Sequence, residues 1–125
     1  MGTRTVLVVD DDPVIRKLLQ VNFEMEGYSV ALAGDGVEAL ELVAATPPDL
    51  VVCDVMMPRM DGITTVTRLK QDPATASIPV ILLSAKAQDG DVRAGLAAGA
   101  EDYATKPFDP LELLDRVARL LPPPT

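Results

Sequence analysis

Four short runs, Val6–Val9, Tyr28–Leu32, Leu50–Cys53 and Val80–Leu83, are rich in Val, Ile and Leu and bounded by polar or turn residues, the signature of strands. The first, third and fourth are apolar throughout, as suits strands covered on both faces. In the second, Tyr28, Val30 and Leu32 alternate with small residues, as in an edge strand. A shorter fifth strand is expected near Asp102–Thr105. Between the strands lie segments with helical spacing: Ile15, Leu18 and Leu19; Ala39, Leu40 and Val43; Ile63, Val66 and Leu69; Val92 and Leu96; and Leu111, Leu114, Val117 and Leu121. The alternation predicts βαβαβαβαβα, an α/β fold on a parallel sheet.

Helix punctuation agrees. Asp12-Pro13 supplies a cap followed by proline at the first helical position, Asp35 with Glu38 and Asp109-Pro110 with Glu112 have capping-box spacing, and Gly27 is placed to close the first helix. The helix near Asp89–Ala98 contains Gly95 and ends at Gly99. An interior glycine costs about 0.5–1 kcal/mol, so this helix is expected to be the least rigid. The terminal Pro122-Pro123-Pro124 cannot continue the last helix, which suggests one domain over 1–121 and a Pro-rich tail over 122–125 that begins a linker.

Composition narrows the chemistry. With 125 residues and 48% hydrophobic content, the chain has enough apolar material for the core of one domain. No apolar run approaches the roughly 18 residues of a membrane span. A myristoylation signal would need Ser or Thr where Val6 stands, so a cytoplasmic location with no membrane contact is expected. The net charge of −8 repels phosphate backbones, and no direct nucleic-acid binding by this segment is expected. The single cysteine, Cys53, sits in an apolar run and reads as core packing. The absence of histidine removes the usual metal ligand and general base, leaving carboxylates, Lys, Ser/Thr and Tyr.

Ligands of open parallel sheets bind beyond the carboxyl ends of the strands. There the sequence places Asp10-Asp11-Asp12, Asp54, Ser84 and Lys106-Pro107. Carboxylates crowded together repel unless a cation neutralises them, and hard oxygen ligands without Cys or His favour Mg²⁺ or Mn²⁺. One carboxylate left free to attack, with Lys106 balancing charge and Ser84 donating a hydrogen bond, suits phosphoryl transfer to Asp54. Each residue also has a blander reading: a helix cap for Asp12, a turn residue for Asp54, a strand-end polar group for Ser84, a solvated charge for Lys106. Joint placement at the same strand ends favours the functional reading, with Asp12 alone left structural.

The segments Val6-Leu7-Val8-Val9-Asp10-Asp11, Asp54-Val55-Met56-Met57-Pro58-Arg59-Met60-Asp61-Gly62, Leu83-Ser84-Ala85 and Lys106-Pro107-Phe108 resemble the receiver domain of bacterial two-component response regulators over nearly the whole chain. The resemblance implies a doubly wound five-stranded (βα)5 sheet of flavodoxin-like order 2-1-3-4-5. It implies Asp54 as phosphoacceptor, with Asp10, Asp11, Asp54 and the Met56 carbonyl around Mg²⁺. Ser84 and Lys106 would contact the phosphoryl group, and Tyr103 would be an aromatic switch turning inward as Ser84 shifts. A cis Lys106–Pro107 bond is also implied. The donor would be a sensor histidine kinase or histidine phosphotransfer protein, and the output a downstream effector domain or target protein. The domain would be a signalling module rather than an enzyme, with the helix after Ser84 and the stretch from Tyr103 to Leu121 as its partner surface.

Other classes fit less well. A phosphatase of the haloacid-dehalogenase type needs an acid two residues after its nucleophile, where Met56 has no proton to give. A flavin phosphate would be repelled by Asp10-Asp11-Asp12, and the chain has no Trp to stack on the ring. A purely structural module would not need the intact acidic, hydroxyl and lysine set. No kinase glycine loop is present, so the phosphoryl group must be supplied.

Overall fold

The computed structural model describes residues 4–86 and 88–124; residues 1–3 of the expected domain and residue 125 of the expected tail lie outside the described residues. The elements are β1 (Thr5–Val9), α1 (Pro13–Met25), β2 (Ser29–Ala33), α2 (Gly36–Ala45), β3 (Leu50–Asp54), α3 (Gly62–Gln71), β4 (Val80–Ser84), α4 (Asp89–Ala97), β5 (Asp102–Thr105) and α5 (Pro110–Leu120). All pairings are parallel, in the order β2-β1-β3-β4-β5. The expected order 2-1-3-4-5 therefore holds, and β2 is an edge strand whose residues are mostly half-buried.

Alternate strand residues face opposite sides, so each central strand feeds two cores. Val6, Val8, Leu50, Val52, Ile81 and Leu83 pack beneath α1 and α5, against Leu19, Phe23, Leu113 and Val117. Leu7, Val9, Val51, Cys53, Val80 and Leu82 meet Ala39 and Val43 of α2 and Val66 and Leu69 of α3. Removing a side chain such as Phe23 or Leu19 from water contributes about 1.5–3 kcal/mol, so covering both faces holds the strand ends in register. Phe23 meets Tyr28 edge to face, with ring centroids 6.3 Å apart.

The helix faces depart from the expected spacing in three places. Leu18, Leu96 and Leu111 point outward, and the α1 core stripe runs through the expected Ile15 and Leu19 and then through Phe23. Leu18 joins Val14, Val21 and Met25, the last two-thirds or more exposed like Val14, in an apolar stripe on the outer face of α1. A period of 3.6 residues leaves neighbouring positions nearly equivalent at the edge of a wide stripe, so tertiary contacts decide between them.

The caps are close to expectation. Asp12, Asp35 and Asp109 accept backbone N–H bonds from Val14, Glu38 and Leu111. The reciprocal half of each capping box is diverted: Glu38 accepts from Gly34, and Glu112 pairs with Arg116. α4 begins without a side-chain cap. Gly27 takes φ +97° immediately after the Glu26 cap, the left-handed region that a helix-closing glycine occupies readily. The last helix ends at Leu120, and the Tyr28 hydroxyl donates to the Leu121 carbonyl over 2.6 Å. Among the described residues no helix is long and apolar enough to cross a membrane.

Candidate functional site

The carboxyl ends of β1, β3, β4 and β5 bring Asp10, Asp54, Ser84 and Lys106 to one edge of the sheet. Asp10 follows β1 directly, is buried, and keeps its place through three bonds: its N–H donates to Ala33, its carbonyl accepts from Arg16 over 2.7 Å, and its Oδ1 accepts from the Asp12 N–H over 2.9 Å. Asp54 ends β3 and is also buried, while Asp11 is exposed at the rim. One carboxylate oxygen from each of Asp10, Asp11 and Asp54 lies within 4.8 Å of the others.

Lys106 reaches into this cluster from the loop after β5. Its Nζ lies 2.9 Å from Asp10 Oδ2 and 3.5 Å from Asp54 Oδ2. The Lys106 N–H donates to the Ser84 carbonyl over 2.9 Å, which ties that loop to the end of β4, and the Lys106–Pro107 bond is cis. Ser84 is fully buried, and its Oγ accepts the Lys86 N–H over 3.0 Å.

One lysine does not balance three carboxylates. Burial, and then the neighbouring charge of Asp10, push the Asp54 carboxyl up to about 6 even though Lys106 pulls the other way. Burial works against the Lys106 ammonium too, but the hydrogen bond and charge of Asp10, followed by those of Asp54, leave its pKa raised. The cluster therefore carries uncompensated negative charge in a partly desolvated setting. Its all-oxygen donor set fits a small hard divalent cation such as Mg²⁺ or Mn²⁺.

An open cleft of about 430 Å³ borders the cluster, with Asp11, Asp61 and Lys86 on its polar side and Val55, Met56, Met57 and Pro58 on the apolar side. The Met56 side chain is more than half exposed. A second hollow, of about 420 Å³ between α2 and α3, has an apolar floor of Leu40, Val43 and Leu69 and lies away from these carboxylates.

Tyr103 stands in β5 with its ring buried and its hydroxyl donating to the Lys86 carbonyl. The ring thus already occupies the inward position.

Three supports of the site stand within the Asp54–Gly62 motif but had no role assigned to them from the sequence. Gly62 begins α3 directly against β3: its N–H donates to the Val55 carbonyl over 2.8 Å, and a Cβ there would strike the Asp54 carbonyl and approach Val55 Cα within 2.9 Å. Asp61 caps α3 by accepting from the Thr64 N–H. Arg59 sits at φ +64°, uncommon for a residue with a side chain, and its guanidinium grips Asp35, the α2 cap, at 2.7–2.8 Å. Asp-Gly after the Met-Pro turn signals the first two; nothing local signals the Arg59–Asp35 pair, which spans 24 residues.

A profile described as the response regulator receiver domain matches residues 6–118. Among curated relatives, the DNA-binding dual master transcriptional regulator RpaA of Synechocystis is 47% identical over 93% of this chain and 48% of its own. The alkaline phosphatase synthesis transcriptional regulatory protein PhoP of Bacillus subtilis is 45% identical over 94% of this chain and 48% of its own. The chain spans about half the length of these relatives. Among solved structures, a putative response regulator from Chloroflexus aurantiacus superposes with a TM-score of 0.91 at 39% identity, covering 96% of this chain and 98% of that one. The chemotaxis protein CheY4 of Vibrio cholerae gives 0.91 at 32% identity, covering 96% of this chain and all of the other.

Proposed function

The chain belongs to the response regulator receiver domain family, and from that premise we propose that it accepts a phosphoryl group on Asp54 and passes the change of charge to a partner or effector. The observation that carries this reading is the buried Asp54 carboxylate, held within reach of Asp10, Asp11 and Lys106 where negative charge exceeds positive. Asp10, Asp11 and Asp54, with the Met56 carbonyl, would hold Mg²⁺ or Mn²⁺. When bound, the cation supplies charge neutralisation between carboxylate and phosphoryl oxygens.

The chain's own groups account for the rest. A carboxyl that titrates at about 6 is largely ionised at neutral pH, so an Asp54 oxygen has its lone pair available. The Asp54 oxygen–phosphorus bond forms as the donor's nitrogen–phosphorus bond breaks, and that bonding pair returns to the donor nitrogen. Lys106, already 3.5 Å from Asp54, offsets charge on a phosphoryl oxygen, and the Ser84 hydroxyl donates to another. Gly62 lets α3 begin against the Asp54 backbone and so fixes the nucleophile's strand end.

The donor is a phosphohistidine on a sensor kinase or phosphotransfer protein, and the setting is the cytoplasm. Residues 1–121 make up the receiver unit, and the Pro-rich tail over 122–125 follows it, with Pro123 and Pro124 lying against the Gly27 and Tyr28 end of the unit. The output runs through α4, β5 and α5, where Leu96 and Leu111 stand exposed. Its recipient is a downstream effector domain or target protein, a DNA-binding one by analogy with RpaA.

Incubation with acetyl phosphate and Mg²⁺ followed by intact-mass analysis tests the assignment. One phosphoryl group should add to the native chain, none to Asp54→Asn, and little to Asp11→Ala or in EDTA. A phosphorylated Asp54→Asn chain, or undiminished labelling in EDTA, would overturn the reading.

A further inference from the structure

Helix α4 carries two glycines whose surroundings differ. A Cβ built on Gly90 would meet nothing within 4 Å. One built on Gly95 would lie 2.8 and 3.0 Å from Cδ2 and Cε2 of the Tyr103 ring and 2.9 Å from Cδ1 of Leu82. Contacts that short force something to move. Leu82 is fully buried in β4 and has nowhere to go, whereas the Tyr103 ring lies at the end of the sheet beneath α4. Gly95 is the buried residue of its helix, and its missing side chain is the space into which the Tyr103 ring fits.

That ring is the first link of a short chain of contacts reaching the phosphoryl-binding edge. Its hydroxyl donates to the Lys86 carbonyl, and the N–H of the same residue donates to Ser84 Oγ over 3.0 Å. Holding the ring inward therefore holds the Lys86 backbone from its carbonyl side, and the N–H on the other side of the same residue in turn orients the Ser84 hydroxyl.

We propose that Gly95 is a positioning residue: by leaving room for the Tyr103 ring it sets the inward state, and through Lys86 it presets the Ser84 hydroxyl for the phosphoryl group on Asp54. The second half rests on the phosphoacceptor reading; the first half does not.

The chain has two tyrosines and no tryptophan, so 3-fluorotyrosine labelling gives one resonance for Tyr103 and one for Tyr28 as an internal reference. In Gly95→Ala, the Tyr103 resonance should move toward the solvent-exposed position and become sensitive to a soluble paramagnetic probe, while that of Tyr28 stays. Gly90→Ala should leave both unchanged. Labelling by acetyl phosphate should slow roughly two- to tenfold in Gly95→Ala, the worth of one hydrogen bond. Tyr103→Phe, which keeps the ring and removes the hydroxyl, should slow it comparably, and the double variant should be no slower than either single one.

Helix propensity alone predicts the opposite pattern, with both Gly→Ala changes raising the melting temperature and neither moving Tyr103. An unmoved Tyr103 resonance in Gly95→Ala, equal movement in Gly90→Ala, or additive slowing in the double variant would each overturn the proposal. Should Gly95→Ala not fold, Gly95→Ala/Tyr103→Leu removes the ring and Gly95→Ala/Leu82→Ala removes the other close contact; recovery of the folded state in the first supports the ring contact, and recovery in the second alone, or in neither, refutes it. Absence of labelling in the native chain would refute the phosphoacceptor reading while the fluorine resonance still decides the seat of the ring.

Discussion

Two lysines hold opposite ends of the same sheet, and they are satisfied to different degrees. At the ends where β4 and β5 begin, Lys70 Nζ donates to the carbonyls of Ala76 and Ile78 at 3.1 and 2.8 Å and to Glu101 at 2.9 Å. The second Glu101 oxygen accepts the Val80 N–H over 2.7 Å. An ammonium has three protons, and all three have acceptors there. At the other end, Lys106 faces Asp10 and Asp54 while Asp11 completes a cluster with more negative charge than it can neutralise. A closed pair holds structure; an open one leaves negative charge that the proposed cation would offset.

Exchanging the damage between the two ends gives the largest contrast. Lys106→Met should slow labelling of Asp54 by about 100-fold or more, since it removes a preorganised cation from the developing charge. Lys70→Met should instead lower the free energy of unfolding by about 2–4 kcal/mol in urea titrations, as charge-assisted bonds to partly buried acceptors are lost. Its labelling rate should stay within about twofold of native, because distant sites act independently. Equal slowing in both variants would erase the distinction.

A smaller effect sharpens the comparison through pH. Burial and Asp10 raise the folded Asp54 carboxyl to about 6, whereas an unfolded Asp titrates near 3.9. The folded chain therefore binds this proton more tightly than the unfolded one. The associated stability is fully present below the unfolded value and is lost as pH rises through the folded value. In metal-free buffer, Asp54→Asn should become more stable than the native chain between about pH 4 and 6 and keep a lead of about 1–3 kcal/mol above that. A difference that is flat with pH, or shrinks as pH rises, would show that burial and the Asp10 charge do not hold the Asp54 carboxyl above its unfolded value.

The smallest effect concerns how long the modification lasts. The positions two beyond Asp54 and two beyond Ser84 are Met56 and Lys86, both exposed beside the cleft. A thioether cannot orient a water, and an ammonium is not a base at neutral pH. Met56→Asn/Lys86→Glu should therefore lose phosphate severalfold faster at fixed Mg²⁺ and pH, measured by intact mass over time. Equal or slower decay would mean that these side chains do not control water access.

The legible parts of this fold were those that repeat locally. Runs such as Leu50–Cys53 announce strands buried on both sides, and Asp10, Asp54, Ser84 and Lys106 follow from the topology once strand ends are known. Helix faces were legible to within a residue or two: Leu18 and Leu111 fit the period yet lie outside, while the expected Leu19 and the unexpected Leu113 take the core. Contacts between distant segments were not legible. The Lys70–Glu101 pair spans 31 residues, and Gly95, read from sequence as a weak point of its helix, is a close contact whose partner is a ring in the next strand. Arg59 gives no warning of its left-handed backbone, because that conformation is imposed by the turn and the grip on Asp35.

Cys53 sits one residue before the proposed phosphoacceptor, fully buried, with its thiol donating to the Asp54 carbonyl over 3.4 Å. Burial, then the negative charges of Asp54 and Asp10, push its pKa well above the ordinary thiol range. A thiol held protonated and out of solvent is inert to alkylating reagents, which attack the thiolate. Because it is the only cysteine in the chain, its slow modification under native conditions counts how often β3 opens. The strand that carries Asp54 thus has its own clock, and a ligand or modification that tightens the site will be read as a lengthening of that clock's period.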